Sequence, residues 1–567
     1  MARRGSALLV ATAVVLAVFG LRLVQLQAVQ GEALASAALD QRLRTVELPA
    51  GRGAILDVNG EPLAVTVEAR NLTADQTLVT DPAMVAAALG PILGADIDVL
   101  ATRLTGDRRF VYLAKGLTPE TWDRISALRL PGIFSEPAAR RVYPAGDLAA
   151  NLIGFVGAEG EGLGGIEYAY QDLLAGTPGQ QTIERGPGGR VIPTGANTVT
   201  DAQHGATIML TIDRDIQYMA QQAIADKVAE SRADSGTLIV MDARTGRILA
   251  MATAPTFDPS QATAARASDR GNRALSDVFE PGSTSKLMTI AAVVNEGQAN
   301  PYSSFVVPNG LTRGDKEFHD ISPHGTLKLT LAGIMAKSSN LGTILASERI
   351  GGKKLYKYLK KFGIGEPTGL DFPGESTGYV PPHSEWSPTS FPTIAFGQGL
   401  SVNAVQSASV FATIANDGVR VEPTIIDSVI LPDGSVQELA APKTTRVVTA
   451  ETAKQVRAML ETVVGEGGTA PMAAIPGYRV GGKTGTAQAY SEACGCYDDG
   501  VVASFIGMAP ADAPELVVAV SIFNPREGRY GGELGAPVFR SVMTYALQAR
   551  QVPPTGNVGP TLPLTYG

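Results

Sequence analysis

The sequence predicts a mixed α and β protein, α+β or α/β in class. It is expected to have a single N-terminal transmembrane helix, an elongated mixed α+β domain and a larger second domain. Three observations carry this expectation. Two arginines precede a long apolar run at the N-terminus. Strand-like and helix-like apolar segments alternate through most of the remaining chain. One segment, Leu287 to Val294, is apolar on nearly every face, the pattern of a helix buried in a core. The length of 567 residues corresponds to about three to four domains, and a hydrophobic fraction of 44% is ample for large cores. A net charge of −8, with no basic stripe, argues against nucleic acid as a partner.

Arg3 and Arg4 lead into the run Ser6–Leu21, and apolar residues resume at Leu23, Val24 and Leu26. With Arg22 snorkelling to the headgroups, the span 6–27 reaches the roughly 20 residues that a crossing needs. Positive charge before the span and little after it predicts a cytoplasmic tail at 1–5 and export of the rest. Ala33-Leu34-Ala35 resembles a signal cleavage site but lies well past the apolar run, so an uncleaved anchor is favoured. No later segment is long and apolar enough to span.

Residues 28–45 are alanine- and glutamine-rich and read as a helical linker. A pedestal or docking domain is expected over 46–205, where Val58-Asn59-Gly60-Glu61 signals a hairpin. The glycine-rich patch from Gly154 to Gly165 has no Gly-Lys-Ser/Thr ending and reads as an irregular loop, not a phosphate cradle. The second large domain is expected over 206–550. Its predicted strands are Met209–Ile212, Thr237–Met241, Arg247–Ala252, Val501–Met508 and Glu515–Phe523, the last two adjacent in a sheet. A helix is expected from Asp213. The Pro- and Gly-rich residues 551–567 read as a disordered tail.

The histidines His204, His319, His324 and His383 make no metal-ligand spacing, and no metal or cofactor is expected. His319 and His324 flank a proline and read as loop residues that could line a cleft. Cys494 and Cys496 lack a second pair for a zinc site; across one glycine they form either a strained disulfide or two free thiols.

The chemistry concentrates in Glu280-Pro281-Gly282-Ser283-Thr284-Ser285-Lys286, directly before the buried helix. Three positions apart at a helix start, the Ser283 hydroxyl and the Lys286 amine share a face and can touch. A serine becomes a nucleophile when a neighbouring base takes its proton, and a lysine can be that base if burial lowers its pKa. Alone, Ser-x-x-Lys occurs by chance in long chains, and its plain reading is a capping serine with a solvated lysine. Two further motifs follow in order: Ser338-Ser339-Asn340, then Lys483-Thr484-Gly485-Thr486. Each is unremarkable by itself, a helix cap or an exposed turn. Together, in this order, they are specific for acyl transfer through a serine ester. The middle residue of the second motif is Ser339 where the pattern has Asp.

With these motifs the chain resembles a class B penicillin-binding protein, a peptidoglycan D,D-transpeptidase. The resemblance extends to Arg52-Gly53 with Asp57 and Asn59-Gly60, to Arg141-Val142-Tyr143-Pro144, and to Ile166-Glu167. It continues through Leu210-Thr211-Ile212-Asp213, Asn272-Arg273-Ala274, Phe396-Gly397-Gln398-Gly399 and Ala536-Pro537-Val538-Phe539. Pro323-His324-Gly325-Thr326 and Cys494-Gly495-Cys496-Tyr497 are similar to the septal, FtsI-type branch of actinobacteria.

The resemblance implies an antiparallel sheet packed between helices around the buried central helix. It implies Ser283 as nucleophile, Lys286 as base and Ser338 as proton relay to the leaving amine. Asn340 would bind the substrate amide and help position Lys286. Lys483 would hold positive potential, with Thr484, Gly485 and Thr486 as substrate-binding residues, Thr484 and Thr486 helping to bind the donor's carboxylate. Backbone N–H groups of Ser283 and Thr486 would form the oxyanion hole. The implied partners are peptidoglycan stem peptides, β-lactam antibiotics, an FtsW-type SEDS-family glycosyltransferase and other divisome membrane proteins. The implied location is the cytoplasmic membrane at the division septum.

Four rivals share parts of this pattern. A β-lactamase does not need the large N-terminal domain, and no deacylating glutamate stands out. A penicillin sensor needs more cytoplasmic sequence than five residues. A divisome scaffold does not need intact Ser283, Lys286, Ser338, Asn340 and Lys483. An elongation-specific transpeptidase shares every motif and differs only in where it works.

Overall fold

The computed structural model describes residues 2–184, 192, 195, 197–491 and 496–567. The chain divides into two compact units, Met1–Gly51 with Gly176–Gly205, and Arg52–Ala175 with Ala206–Gly567. The segment 46–205 therefore does not form one unit by itself. The reason is strand pairing: Leu43–Leu48 pairs antiparallel with Gly179–Glu184, which pairs with Asn197–Thr200. The first unit also holds the helices Ala2–Val24 and Gly31–Arg42, joined by one π turn at Gln25–Val29. The stretch Arg3–Ala28 is long and apolar enough to cross a membrane.

In the second unit, Ile55–Leu56 and Pro62–Ala74 form the expected hairpin about Asn59-Gly60. Ile55–Leu56 also pairs parallel with Thr207–Leu210, so one sheet joins the two halves of this unit. Asp57 accepts from the backbone of Asn59, Glu61 and Arg214, tying the hairpin to the start of the helix Arg214–Glu230. Glu167, fully buried, is bridged by Arg52 Nε at 2.5 Å and Arg141 Nε at 2.7 Å. Two guanidinium groups satisfy the carboxylate that burial would otherwise penalise by several kcal/mol. The scattered arginine motifs of the sequence thus meet at one carboxylate.

The core is an antiparallel five-stranded sheet in the order Ile248–Ala254, Ser235–Asp242, Leu516–Phe523, Cys496–Ala509, Gly481–Ser491. Successive side chains of a strand point to opposite faces. The first three strands are buried on nearly every residue, so both faces of the sheet are covered. Arg214–Glu230 and Gly531–Ala549 pack on each other and on the sheet. Ala404–Ala415, buried at all its positions, also packs on it. The expected buried helix is Lys286–Asn295, with every residue from Lys286 to Val294 inside, and Gly297 at φ 67° ends it.

Two expectations are corrected. Ser283 does not cap the helix: it sits inside a 3₁₀ turn, Gly282–Ser285, that runs straight into it, so its side chain is not spent on a backbone N–H. The tail 551–567, expected to be disordered, is held at separate points, although most of its residues are exposed. Val552 O accepts from Tyr478 Oη, Asn557 Nδ2 donates to Asp512, and Thr565 bridges to Leu329. Val552, Leu562 and Leu564 pack against the core, whereas Val558 is exposed.

Candidate active site

The 3₁₀ turn that carries Ser283 is clamped from two sides. Gly282 N donates to Gly397 O at 3.0 Å, holding the Phe396–Gly399 loop beneath it. On the other side lies the edge strand Gly481–Ser491. A Cβ on Gly485 would sit 2.4 Å from Ser504 Oγ and 3.1 Å from Pro281 O, so only glycine lets the strand come this close. This approach brings Thr484 and Thr486 into the same cleft as Ser283.

Lys286 and Lys483 converge on Ser338. Lys286 Nζ donates to Ser338 O at 2.5 Å and to Ser338 Oγ at 3.3 Å; Lys483 Nζ donates to the same Oγ at 2.8 Å. Both lysines are fully buried. Ser338 ends the helix Leu331–Lys337 in the left-handed region, φ 56°, which is costly for a residue with a Cβ. That conformation turns its carbonyl onto Lys286. Among the described residues, Ser283 Oγ carries no hydrogen bond to Lys286; the amine is occupied by Ser338 instead.

Burial pushes Lys286 down to about 7, with Asp320 opposing the shift. Burial also drives Lys483 well below the ordinary lysine range, reinforced by the charge of Lys286. Burial and the neighbouring Lys286 thus both disfavour charge on Lys483, since two ammonium groups sharing one buried hydroxyl repel. If neutral Lys286 is the reacting form, the second-order rate of acylation by penicillin rises with pH through about 7 and is lost below it. A stopped-flow pH profile that is flat from 5 to 9 overturns this assignment.

The carboxylate missing from the second motif comes from elsewhere in the chain. Asp320 accepts from Ser339 Oγ at 2.7 Å, from Asn340 N at 2.5 Å and from Leu341 N at 3.1 Å. Ser339 in turn caps the helix Asn340–Glu348 by accepting from Gly342 N. His324 Nε2 lies 3.0 Å from the same carboxylate. Asn340 Nδ2 donates to His319 O at 3.2 Å and does not reach Lys286, so its expected positioning role is not what this geometry provides. Asp320 acts on Lys286 through its charge alone, opposing the shift that burial imposes. Asp320→Asn keeps an acceptor but removes the charge that favours protonated Lys286. The midpoint of the acylation profile should move to lower pH; an unmoved midpoint refutes the coupling.

The cleft has a volume of about 810 Å³, and its lining includes Ser283, Ser338, Thr484 and Thr486 on one side and the apolar Leu327 and Met472 on another. His324 lines it too, as its loop position suggested. Thr484 Oγ1 meets Thr469 at 2.9 Å, and Thr486 Oγ1 accepts from Gly531 N at 3.3 Å. Sequence reading missed Asp320, Thr469 and Gly531, since their link to the motifs is purely spatial. Among the described residues no cluster of three His, Cys, Asp or Glu could hold a metal. Cys494 lies outside the described residues, and the question of its bridge to Cys496 with it.

Residues 236–544 match the family model of the penicillin-binding protein transpeptidase domain, and 47–210 that of the penicillin-binding protein dimerisation domain. The chain is 39% identical to the penicillin-binding protein PbpB of Mycobacterium tuberculosis, over 99% of this chain and 87% of that one. It is 32% identical to the peptidoglycan D,D-transpeptidase FtsI of Escherichia coli, over 94% and 89%. The crystal structure of penicillin-binding protein 3 from M. tuberculosis complexed with ampicillin superposes with a TM-score of 0.74 at 35% identity, covering 92% of this chain and all of that one.

Proposed function

The chain belongs to the class B penicillin-binding proteins, and from that premise we propose that it is a membrane-anchored serine D,D-transpeptidase that cross-links peptidoglycan stem peptides and is acylated by β-lactams. One observation supports this reading most: two fully buried lysines, one from each flanking motif, meet on the Ser338 hydroxyl in the cleft that holds Ser283. Ser283 Oγ attacks the carbonyl of the penultimate D-alanine, and its proton passes to neutral Lys286. The N–H groups of Ser283 and Thr486 receive the oxyanion; losing one such donor typically costs about 3–4 kcal/mol. The peptide bond breaks as Ser338 relays a proton to the departing D-alanine amine. The amine of a second stem peptide then attacks the ester, forms the cross-link and returns Ser283 to its hydroxyl form. Asn340 binds the donor amide. Lys483, Thr484 and Thr486 bind its carboxylate, with Gly485 letting their strand lie beside the nucleophile.

The test is a stem-peptide donor with an acceptor amine: one D-alanine released per cross-link, alongside a long-lived penicilloyl ester. Rapid penicillin turnover without cross-linking would assign a lactamase instead. The likeness to PbpB and FtsI favours work at the division septum, with the N-terminus inside and an FtsW-type glycosyltransferase and other divisome membrane proteins as partners. Depletion with imaging of a fluorescent fusion tests this: filaments without septa support division, whereas rounding or loss of polar growth assigns elongation.

A further inference from the structure

Burial alternates along the segment Leu562–Tyr566: Leu562, Leu564 and Tyr566 are half-buried, Pro563 and Thr565 exposed. That is the period of a strand with one covered face. It makes one antiparallel bridge, Thr565 opposite Leu329, to the strand Leu327–Thr330, which itself pairs with Ser304–Val307. Thr330 N donates to Leu564 O at 3.1 Å and Tyr566 N to Lys328 O at 3.3 Å. Thr330 Oγ1 donates to Pro563 O at 2.5 Å while accepting from Gly333 N, so the segment also holds the cap of the helix that ends at Ser338. Thr565 lines the cleft together with Leu327, Leu329 and Ser283.

We propose that Leu562–Tyr566 is a specificity-determining wall of the substrate cleft, added as an outer strand and seated on Gly333. It deepens the acyl-transfer reading above and rests on it. The wall is an edge strand, so it selects by shape: it limits the bulk that an acyl donor can carry on the side facing Leu327 and Thr565.

Gly333 supplies the test. A Cβ there would lie 1.9 Å from Leu564 O, in backbone that cannot give way without the strand lifting. Alanine is otherwise the better residue inside a helix. Gly333→Ala therefore displaces the strand without removing it, and a chain lacking residues 562–567 removes it outright. Acylation rate constants are measured for ampicillin and for piperacillin, which carries the same nucleus with a bulkier acylated side chain. Both variants should raise the piperacillin-to-ampicillin rate ratio at least ~3-fold, about 0.7 kcal/mol of discrimination. A ratio unchanged in either variant, or a fall shared equally by both drugs, makes the strand a fold support only and overturns the proposal. Failure of the unaltered chain to acylate at all would defeat the transpeptidase reading on which it rests.

Discussion

Ser283→Ala should abolish covalent labelling by a fluorescent penicillin and leave the melting temperature within about 2 °C of the parent. Both halves follow from the local geometry. Ser283 lies in a 3₁₀ turn that does not use its hydroxyl as a cap, and its side chain faces the cleft only half-buried. Removing one oxygen there leaves no buried polar group unpaired, so the fold loses little. The ester, by contrast, has no other well-placed nucleophile. A rival hydroxyl in the cleft, Ser338 Oγ, is held by Lys286 and Lys483 together. Labelling is read by gel fluorescence, and peptide mass mapping locates any residual adduct. An adduct on Ser338 or Thr486 in the variant would move the nucleophile and sink the assignment.

Lys286→Ala should slow acylation by about 10²–10⁴-fold, the usual contribution of a positioned general base. The amine is fully buried and held down to about 7, so a large neutral fraction exists at physiological pH. Lys286→Arg separates the two roles that a lysine can play. Arginine keeps the positive charge but cannot release its proton in this range. If Lys286 is the base, arginine fails as badly as alanine. If Lys286 serves only as a charge on Ser338, arginine restores much of the rate. Near-normal acylation in the alanine variant would make another group the base, and Lys483, which reaches the same hydroxyl, would be the next to test.

Much of this was legible in the chain because the signals are local. The hairpin at Asn59-Gly60, the strands Ser235–Asp242 and Leu516–Phe523, and the buried helix Lys286–Asn295 each announce themselves through spacing over a few residues. What failed was also local in origin. Ser283 looks like a helix cap because a serine before an apolar run usually is one, yet a 3₁₀ turn takes up the helix start. The tail looks disordered because proline and glycine dominate its composition, yet Leu562, Leu564 and Tyr566 carry strand periodicity within it.

The sequence by itself singled out the candidate residues for the chemistry: Ser283, Lys286, Ser338, Asn340 and Lys483, in an order that chance does not readily produce. It also determined that a long apolar helix opens the chain. Only the tertiary structure decided how those residues are wired. It put both lysines on one hydroxyl, aimed Asn340 at His319 rather than at Lys286, and brought Asp320 from a distant loop to supply the carboxylate that Ser339 lacks. The physical reason is that spacing encodes what one helix or strand presents. Charge, burial and hydrogen bonding at the cleft depend on which elements pack together, and those contacts are made between segments far apart in the chain.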